Sequence, residues 1–294
     1  MNLRTLWARL WRGGLMGLAE VVPGVSGGTI ALLTGIYRDL VDAIATFGPQ
    51  SIPQLKSPSL FFSYHRLEFL LSLGVGMLLG IVLFANLMSY LLVHYSPAVW
   101  AFFLGVILVS AYMVAKPRAP LTLATWGGFG LIVGVSLLML PTFGGNDSLW
   151  LLFVGGAIAV CAWILPAVSG SYMMLLLGLY ETVIRHIAEF NLLPLMVLAL
   201  GCGTGLLCFV RFLSFLLREY YERTLSLLAG FMLGSTVNLW PWRVETVTDG
   251  ESVRRWLSPS AYEAAGEPAF LYLSLLTCVL GGVGLWLLAR RTEL

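Results

Sequence analysis

Of the 294 residues, 59% are hydrophobic and only 11% charged, which excludes a soluble globular chain and leaves an integral membrane protein. The formal net charge of +2 gives no argument for a nucleic-acid partner, and none is expected. Cys161, Cys202, Cys208 and Cys278 lie in apolar stretches and His65, His94 and His186 are scattered, so no metal site, cofactor or disulfide framework is expected.

The chain opens on the basic stretch MNLRTLWARLWRGG. The apolar run behind it is cut by Glu20 and Pro23 and has no small-x-small cleavage site, so the stretch reads as a mature N-terminus and not a signal peptide. Residues 21–47 then read VVPGVSGGTIALLTGIYRDLVDAIATF, and residues 164–190 read ILPAVSGSYMMLLLGLYETVIRHIAEF. At an offset of 143 without gaps, Pro23/Pro166, Val25/Val168, Ser26/Ser169, Gly27/Gly170, Gly35/Gly178, Tyr37/Tyr180 and Phe47/Phe190 are among the identical pairs. Both copies set Pro, Ser and Gly in the middle of apolar sequence. Paired interruptions of this kind in the two halves of a membrane protein point to a transport site.

After the first interrupted segment (12–37), spans long enough for a ~30 Å hydrocarbon core are predicted at 67–93 and 98–115, and a linking span at 120–141. The second interrupted segment (149–180) is followed by spans at 192–217 and 224–241, and a C-terminal span at 269–289. Gly76/Gly80, Gly130/Gly134 and Gly201/Gly205 carry small-xxx-small spacing, which suits close helix packing. The hydrophilic stretch 243–268 is expected to be an extracytoplasmic loop, with no structure legible in it.

The arm from Gly28 to Tyr37 would be roughly 15 Å long as helix, about half the hydrocarbon thickness. Each interrupted segment is therefore predicted to be a re-entrant hairpin with its tip near the midplane. Charge supports this: with hairpins and a cytoplasmic N-terminus, twelve Lys and Arg fall on the inner side and four on the outer, Arg211 being left inside a span. Full crossings would move Arg38, Lys56, Arg66, Lys116 and Arg118 outside. A hairpin plus two spans returns the chain to its starting side, and the linking span carries it across, so the second half is inverted. The expected fold is thus an all-α polytopic membrane protein of the cytoplasmic (inner) membrane with both termini cytoplasmic. Its inverted repeats cover 12–115 and 149–242.

At the first tip, Pro23 and Gly24 stop the descending arm. Ser26 is a suitable N-cap for the next arm, and Gly27, Gly28 and Thr29 would offer open backbone N–H groups. Pro166, Ala167, Ser169, Gly170 and Ser171 repeat the arrangement. Two helix N-termini facing each other could hold a phosphate or carboxylate from both sides; tight turns made for packing are the structural alternative. Arg211, in GLLCFVRFLSFLL, is either an anion ligand, a partner for Glu20, or a side chain reaching toward the cytoplasmic face. Glu20 has Trp163 at its equivalent position, and this one-sided acid suggests either proton coupling or a salt bridge. Tyr37 and Tyr180 are read as interfacial anchors in preference to hydrogen-bond donors to the substrate. Asp39 and Asp42, with Arg38 beside them, read as solvated. No GxxxxGK[ST] loop and no Ser/His/Asp cluster is present, so an enzyme is not expected.

The strings AEVVPGVSGGTIALLTGIY, ILPAVSGSYMMLLLGLYE, FVRFLSFLL and LAGFMLGSTVNLWPW, in matching order from about Arg12 to Trp242, resemble the signature segments of the polyprenyl-phosphate (undecaprenyl-phosphate) transporter family. The resemblance implies a flippase that returns undecaprenyl phosphate, the carrier lipid of cell-wall synthesis, from the outer to the inner leaflet. It also implies head-group contacts at Ser26, Gly27, Gly28, Thr29, Ser169, Gly170, Ser171 and Arg211. Two departures stand out: family members more often carry Asp where this chain has Glu20, and Gly where it has Ala167. The expected partners are the lipid, the bilayer and a coupling ion, H+ or Na+, with oligomeric state left open. A transporter of a small soluble anion and a non-transporting membrane scaffold are the alternatives.

Overall fold

The computed structural model describes residues 3–21, 26–48, 51, 53, 56–138, 148–166, 168–248 and 251–291. Pro23, Gly24 and Ala167, assigned above to hairpin geometry, lie outside the described residues, as do residues 139–141 of the linking span.

The first interrupted segment becomes α1 (Leu3–Glu20), α2 (Gly27–Leu33) and α3 (Tyr37–Ala45), followed by α4 (Pro58–Tyr64), α5 (Leu67–His94) and α6 (Ser96–Ala115). α7 (Pro120–Thr122) leads through a π-helical turn (Leu123–Gly127) into α8 (Gly128–Leu138). The second half runs α9 (Leu149–Ile164), α10 (Gly170–Leu176), α11 (Tyr180–Ala188), α12 (Leu192–Glu219) and α13 (Tyr221–Ser235), closing in a 3-10 turn (Thr236–Leu239). β1 (Arg243–Thr248), β2 (Glu251–Trp256), α14 (Pro259–Ala264) and α15 (Leu271–Arg291) complete the chain.

α5, α6 and α12 are long and apolar enough to cross a membrane, and 120–136, α9 and 271–287 are shorter apolar helical stretches. This is the helix inventory of a polytopic membrane protein. The 28 residues of α5 and of α12 reach about 42 Å at 1.5 Å per residue, so each exceeds the hydrocarbon core and must tilt or protrude. The expected span 224–241 is shorter as α-helix than predicted. Thr236, Val237 and Asn238 are weak helix formers and Pro241 follows, so the α-helix yields to a 3-10 turn.

The doubling of the sequence is visible in the elements. α2 and α10 are both 7 residues, α3 and α11 both 9, and α5 and α12 both 28. Gly35 and Gly178 sit at φ 72° and 67°, each directing the chain out of one short helix into the next through a left-handed conformation that a Cβ would strain.

The chain divides into two compact units, residues 1–85 with 140–224, and residues 86–139 with 225–294. In the first, glycines set the packing. A Cβ on Gly13 or Gly17 of α1 would overlap the carbonyls of Leu73 or Met77 in α5, and one on Gly76 or Gly80 would overlap Leu10 or Gly14. α9 and α12 meet in the same way, Gly201 against Phe153 and Gly205 against Ala157. Lipid tails give no hydrophobic drive for helix pairing, so backbone-to-backbone van der Waals contact takes its place.

In the second unit, α6 packs on α15 through Gly105 and Gly281, and Gly130 of α8 abuts Leu227 of α13. The hydrophilic stretch proves structured: β1 and β2 pair antiparallel, with Arg243 opposite Trp256. Trp242, Tyr262 and Ala269 bury a small core there, tied by the Trp242 indole donating to the Ala269 carbonyl at 2.8 Å. Arg243 lies over the Trp100 ring at 3.9 Å.

Candidate functional site

Ser26 is extended (φ −118°, ψ 137°) and caps α2, its Oγ accepting the Gly28 N–H at 3.1 Å. The other amides of this tip are occupied too. Gly27 N–H donates to Glu20 Oε1 at 2.7 Å, and Thr29 N–H to the Ser26 carbonyl at 3.0 Å. The N–H groups expected to be open are therefore closed, that of Gly27 by an anion of the chain itself and those of Gly28 and Thr29 by Ser26. The Glu20 carboxylate stands where an oxygen of a bound phosphate or carboxylate would stand. Ser26, Gly27, Gly28 and Thr29 are all buried.

The tip also leans on the second half. α9 ends as Leu165 turns extended (φ −72°, ψ 138°), the conformation a following proline demands, here Pro166. The last carbonyls of a helix lack intrahelical donors. Two of them are met by hydroxyls from the first half: Ser26 Oγ donates to the Trp163 carbonyl at 3.1 Å and Tyr37 Oη to the Ile164 carbonyl at 3.1 Å. Tyr37 is 2% exposed, so it is an internal strut and not the interfacial anchor expected, whereas its counterpart Tyr180 is 43% exposed. The Trp163 indole hydrogen-bonds the Glu20 carboxylate.

The second tip is built differently. Ser169 is extended before α10 but makes no side-chain cap. Its hydroxyl pairs with that of Ser171 at 2.7 Å, and Gly170 and Ser171 are partly or fully exposed. Gly27 and Gly170 keep equivalent positions against their descending arms: a Cβ on either would approach Met16 or Ala159, residues related by the repeat offset.

Arg211 is placed elsewhere. It donates to the Phe47 carbonyl just beyond α3, where the negative end of a helix favours a cation. It lines a cavity of about 460 Å³ together with Asp42, Thr46, Tyr64, Ser214, Phe215, Arg218 and Glu219. Asp42 Oδ1 accepts from Ser214 Oγ at 2.5 Å and from Arg218 at 3.0 Å. Arg38 stands 3.8 Å from Asp42 Oδ2. Asp42 is thus a half-buried tie between α3 and α12 and not a solvated residue, while Asp39 pairs with Arg66 at 2.9 Å.

The structure therefore gathers Ser26, Gly27, Gly28 and Thr29 with Glu20, and sets Arg211 in a second polar place with Asp42. Trp163, Tyr37, Asp42, Ser214 and Arg218 were not singled out as site residues from sequence. A signal existed for two of them: Arg211, Ser214 and Arg218 fall at i, i+3 and i+7, one face of a helix. Among the described residues no cluster of three or more potential metal ligands is present.

The family model described as undecaprenyl phosphate translocase-like matches residues 16–254. A Vibrio cholerae serotype O1 protein named polyprenyl-phosphate transporter is 37% identical over 286 residues, covering 93% of this chain and 92% of that protein. A Staphylococcus aureus protein of the same name is 31% identical over 256 residues, covering 80% and 86%. No solved structure matches.

Proposed function

Because this chain belongs to the undecaprenyl phosphate translocase-like family, we propose that it is a flippase for undecaprenyl or another polyprenyl phosphate. It moves the lipid from the outer to the inner leaflet of the cytoplasmic membrane, recycling the carrier for cell-envelope synthesis. In this reading 12–37 and 149–180 are re-entrant hairpins in inverted repeats, and both termini are cytoplasmic. The ion pairs Arg9–Glu68, Arg38–Asp42, Arg66–Asp39 and Arg218–Asp42 support that sidedness, since each joins groups that the positive-inside distribution assigns to the inner face.

The observation that carries the reading is the 2.7 Å bond from Gly27 N–H to Glu20, an anion already held at the start of a helix. An arriving phosphate takes the Gly27 amide from Glu20 and is met from the other repeat by Ser169, Gly170 and Ser171. The isoprenoid tail stays in lipid beside the helices, and Arg211 receives the head group as the repeats rock. Glu20, displaced, takes up a proton. Carrying one negative charge inward against an interior-negative potential costs about 2.3 kcal/mol per 100 mV, and a cation travelling with it offsets that cost. Glu20 makes H+ the preferred coupling ion over Na+.

Native mass spectrometry of the detergent-purified chain with undecaprenyl phosphate, against inorganic phosphate and glycerol phosphate as competitors, tests this. Selective retention of the prenyl lipid is the expected result. Binding of the soluble anions alone would turn the function toward a small-anion transporter.

A further inference from the structure

We infer that the cavity beside Arg211 is a second phosphomonoester site, in which Asp42 is a built-in competing anion that vacates for the head group and later displaces it. This rests on the reading of the chain as a carrier of a phosphorylated lipid.

The donors come first. Arg211, Ser214 and Arg218 project from one face of α12 into a space of about 460 Å³, within the usual range of small-molecule sites. Two guanidinium groups and a buried hydroxyl on one face form an anion-binding set, since forked N–H donors fit phosphate and carboxylate oxygens alike. The set already holds an anion: Ser214 and Arg218 both bond Asp42 Oδ1, at 2.5 and 3.0 Å. That carboxylate oxygen stands in for a phosphate oxygen.

The alternative berth for Asp42 comes second. Arg38 lies one turn back on α3, 3.8 Å from Oδ2, beyond hydrogen-bond length yet close enough to receive the carboxylate after a side-chain rotation. A phosphate cannot share Ser214 and Arg218 with an ionised Asp42, because like charges at such separations repel. Occupancy by the lipid head therefore requires Asp42 to pass to Arg38, and its return evicts the head. Glu219, the other acid on the lining, leaves the pocket without a large positive excess, which suits release better than storage.

The site is one-sided. At the repeat offset, Asp42 corresponds to Arg185 and Arg38 to Glu181, so the pair is reversed in the second half and that half cannot build the same exchange. A release device placed on one side only gives direction to a scaffold that is otherwise doubled.

The test uses the full chain in detergent, with geranyl phosphate, undecaprenyl phosphate and inorganic phosphate as ligands, comparing wild type with Asp42→Asn, Arg218→Ala and Arg218→Lys. Removing the competing charge is expected to raise affinity for geranyl phosphate about tenfold in Asp42→Asn, while lipid turnover in proteoliposomes falls. Losing one charge-assisted donor is expected to weaken binding about tenfold in Arg218→Ala, with Arg218→Lys in between and serving as the folded control. Unchanged or weaker binding in Asp42→Asn, or wild-type affinity in Arg218→Ala, would overturn the inference. Retention of undecaprenyl phosphate indifferent to all three variants would overturn the second site and leave the flippase reading standing. Arg218-dependent binding of inorganic and geranyl phosphate alike, with undecaprenyl phosphate not retained, would keep the site and sink the lipid reading. Failure of wild type to bind any of the three overturns both.

Discussion

Glu20 and Trp163 occupy the same position in the two copies of the repeat, and they are bonded to each other: the Trp163 indole donates to the Glu20 carboxylate. A doubled sequence thus joins its halves through a position at which its two copies differ. Glu20 Oε1 also accepts the Gly27 N–H.

Glu20→Gln keeps an oxygen that can accept the Gly27 N–H but cannot carry a proton. The variant should fold and bind polyprenyl phosphate, yet transport it at a rate that no longer varies with pH. Proteoliposome uptake across a series of imposed pH gradients measures this, and a wild-type pH profile in the variant would remove Glu20 from coupling.

Tyr37→Phe deletes the hydroxyl that completes the Ile164 carbonyl at 3.1 Å and leaves that acceptor buried. A cost of about 1–3 kcal/mol is expected, seen as a lower melting temperature in detergent. Tyr180→Phe, at the equivalent but exposed position, should stay within about 0.5 kcal/mol of wild type. Equal effects would mean that the two tyrosines play one role.

Glycine positions divide sharply. Gly74 and Gly203 face open space, so Ala there should be tolerated and can add up to about 1 kcal/mol of helix stability. Gly76 and Gly201 abut backbone carbonyls, so Ala should cost about 1–3 kcal/mol or abolish expression. Fluorescence-detected size exclusion of the four variants distinguishes the two outcomes.

His65 lies in the turn before α5, fully buried, with Nδ1 2.7 Å from the Thr46 hydroxyl, its ring stacked on Phe47 and Nε2 without a bond among the described residues. Burial pushes its pKa below the ordinary histidine value. The unfolded chain then binds the proton more readily than the folded one. Stability from this group is full above about pH 6.5 and is lost as pH falls below it. Melting curves between neutral and acidic pH should show a slope that His65→Gln flattens; an unchanged slope would refute the assignment.

The repeat and the long spans were legible because they are written in local pattern: apolar runs and paired Pro-Ser-Gly interruptions. The site was legible only in part. Ser26 was readable as a cap because its amide partner is two residues away. Its second bond, to the Trp163 carbonyl, spans 137 residues, that of Tyr37 spans 127, and that of Ser214 to Asp42 spans 172. No periodicity encodes such distances. Tyr37 therefore read as an anchor and Asp42 as solvated, since in isolation a tyrosine at a helix end and an acid beside an arginine look like surface. The amides of the first tip read as open for the same reason: nothing local shows that Glu20 turns back to cover one.

The hydroxyls of Ser26 and Tyr37 also impose an order on biogenesis. Both leave the ribosome well over a hundred residues before the carbonyls they will bond, a delay on the order of ten seconds at ordinary synthesis rates. Through that interval both hydroxyls lack these acceptors, and the end of α9, when it arrives, finds its donors already made. The early half serves as the mould, and the late half is finished by fitting into it.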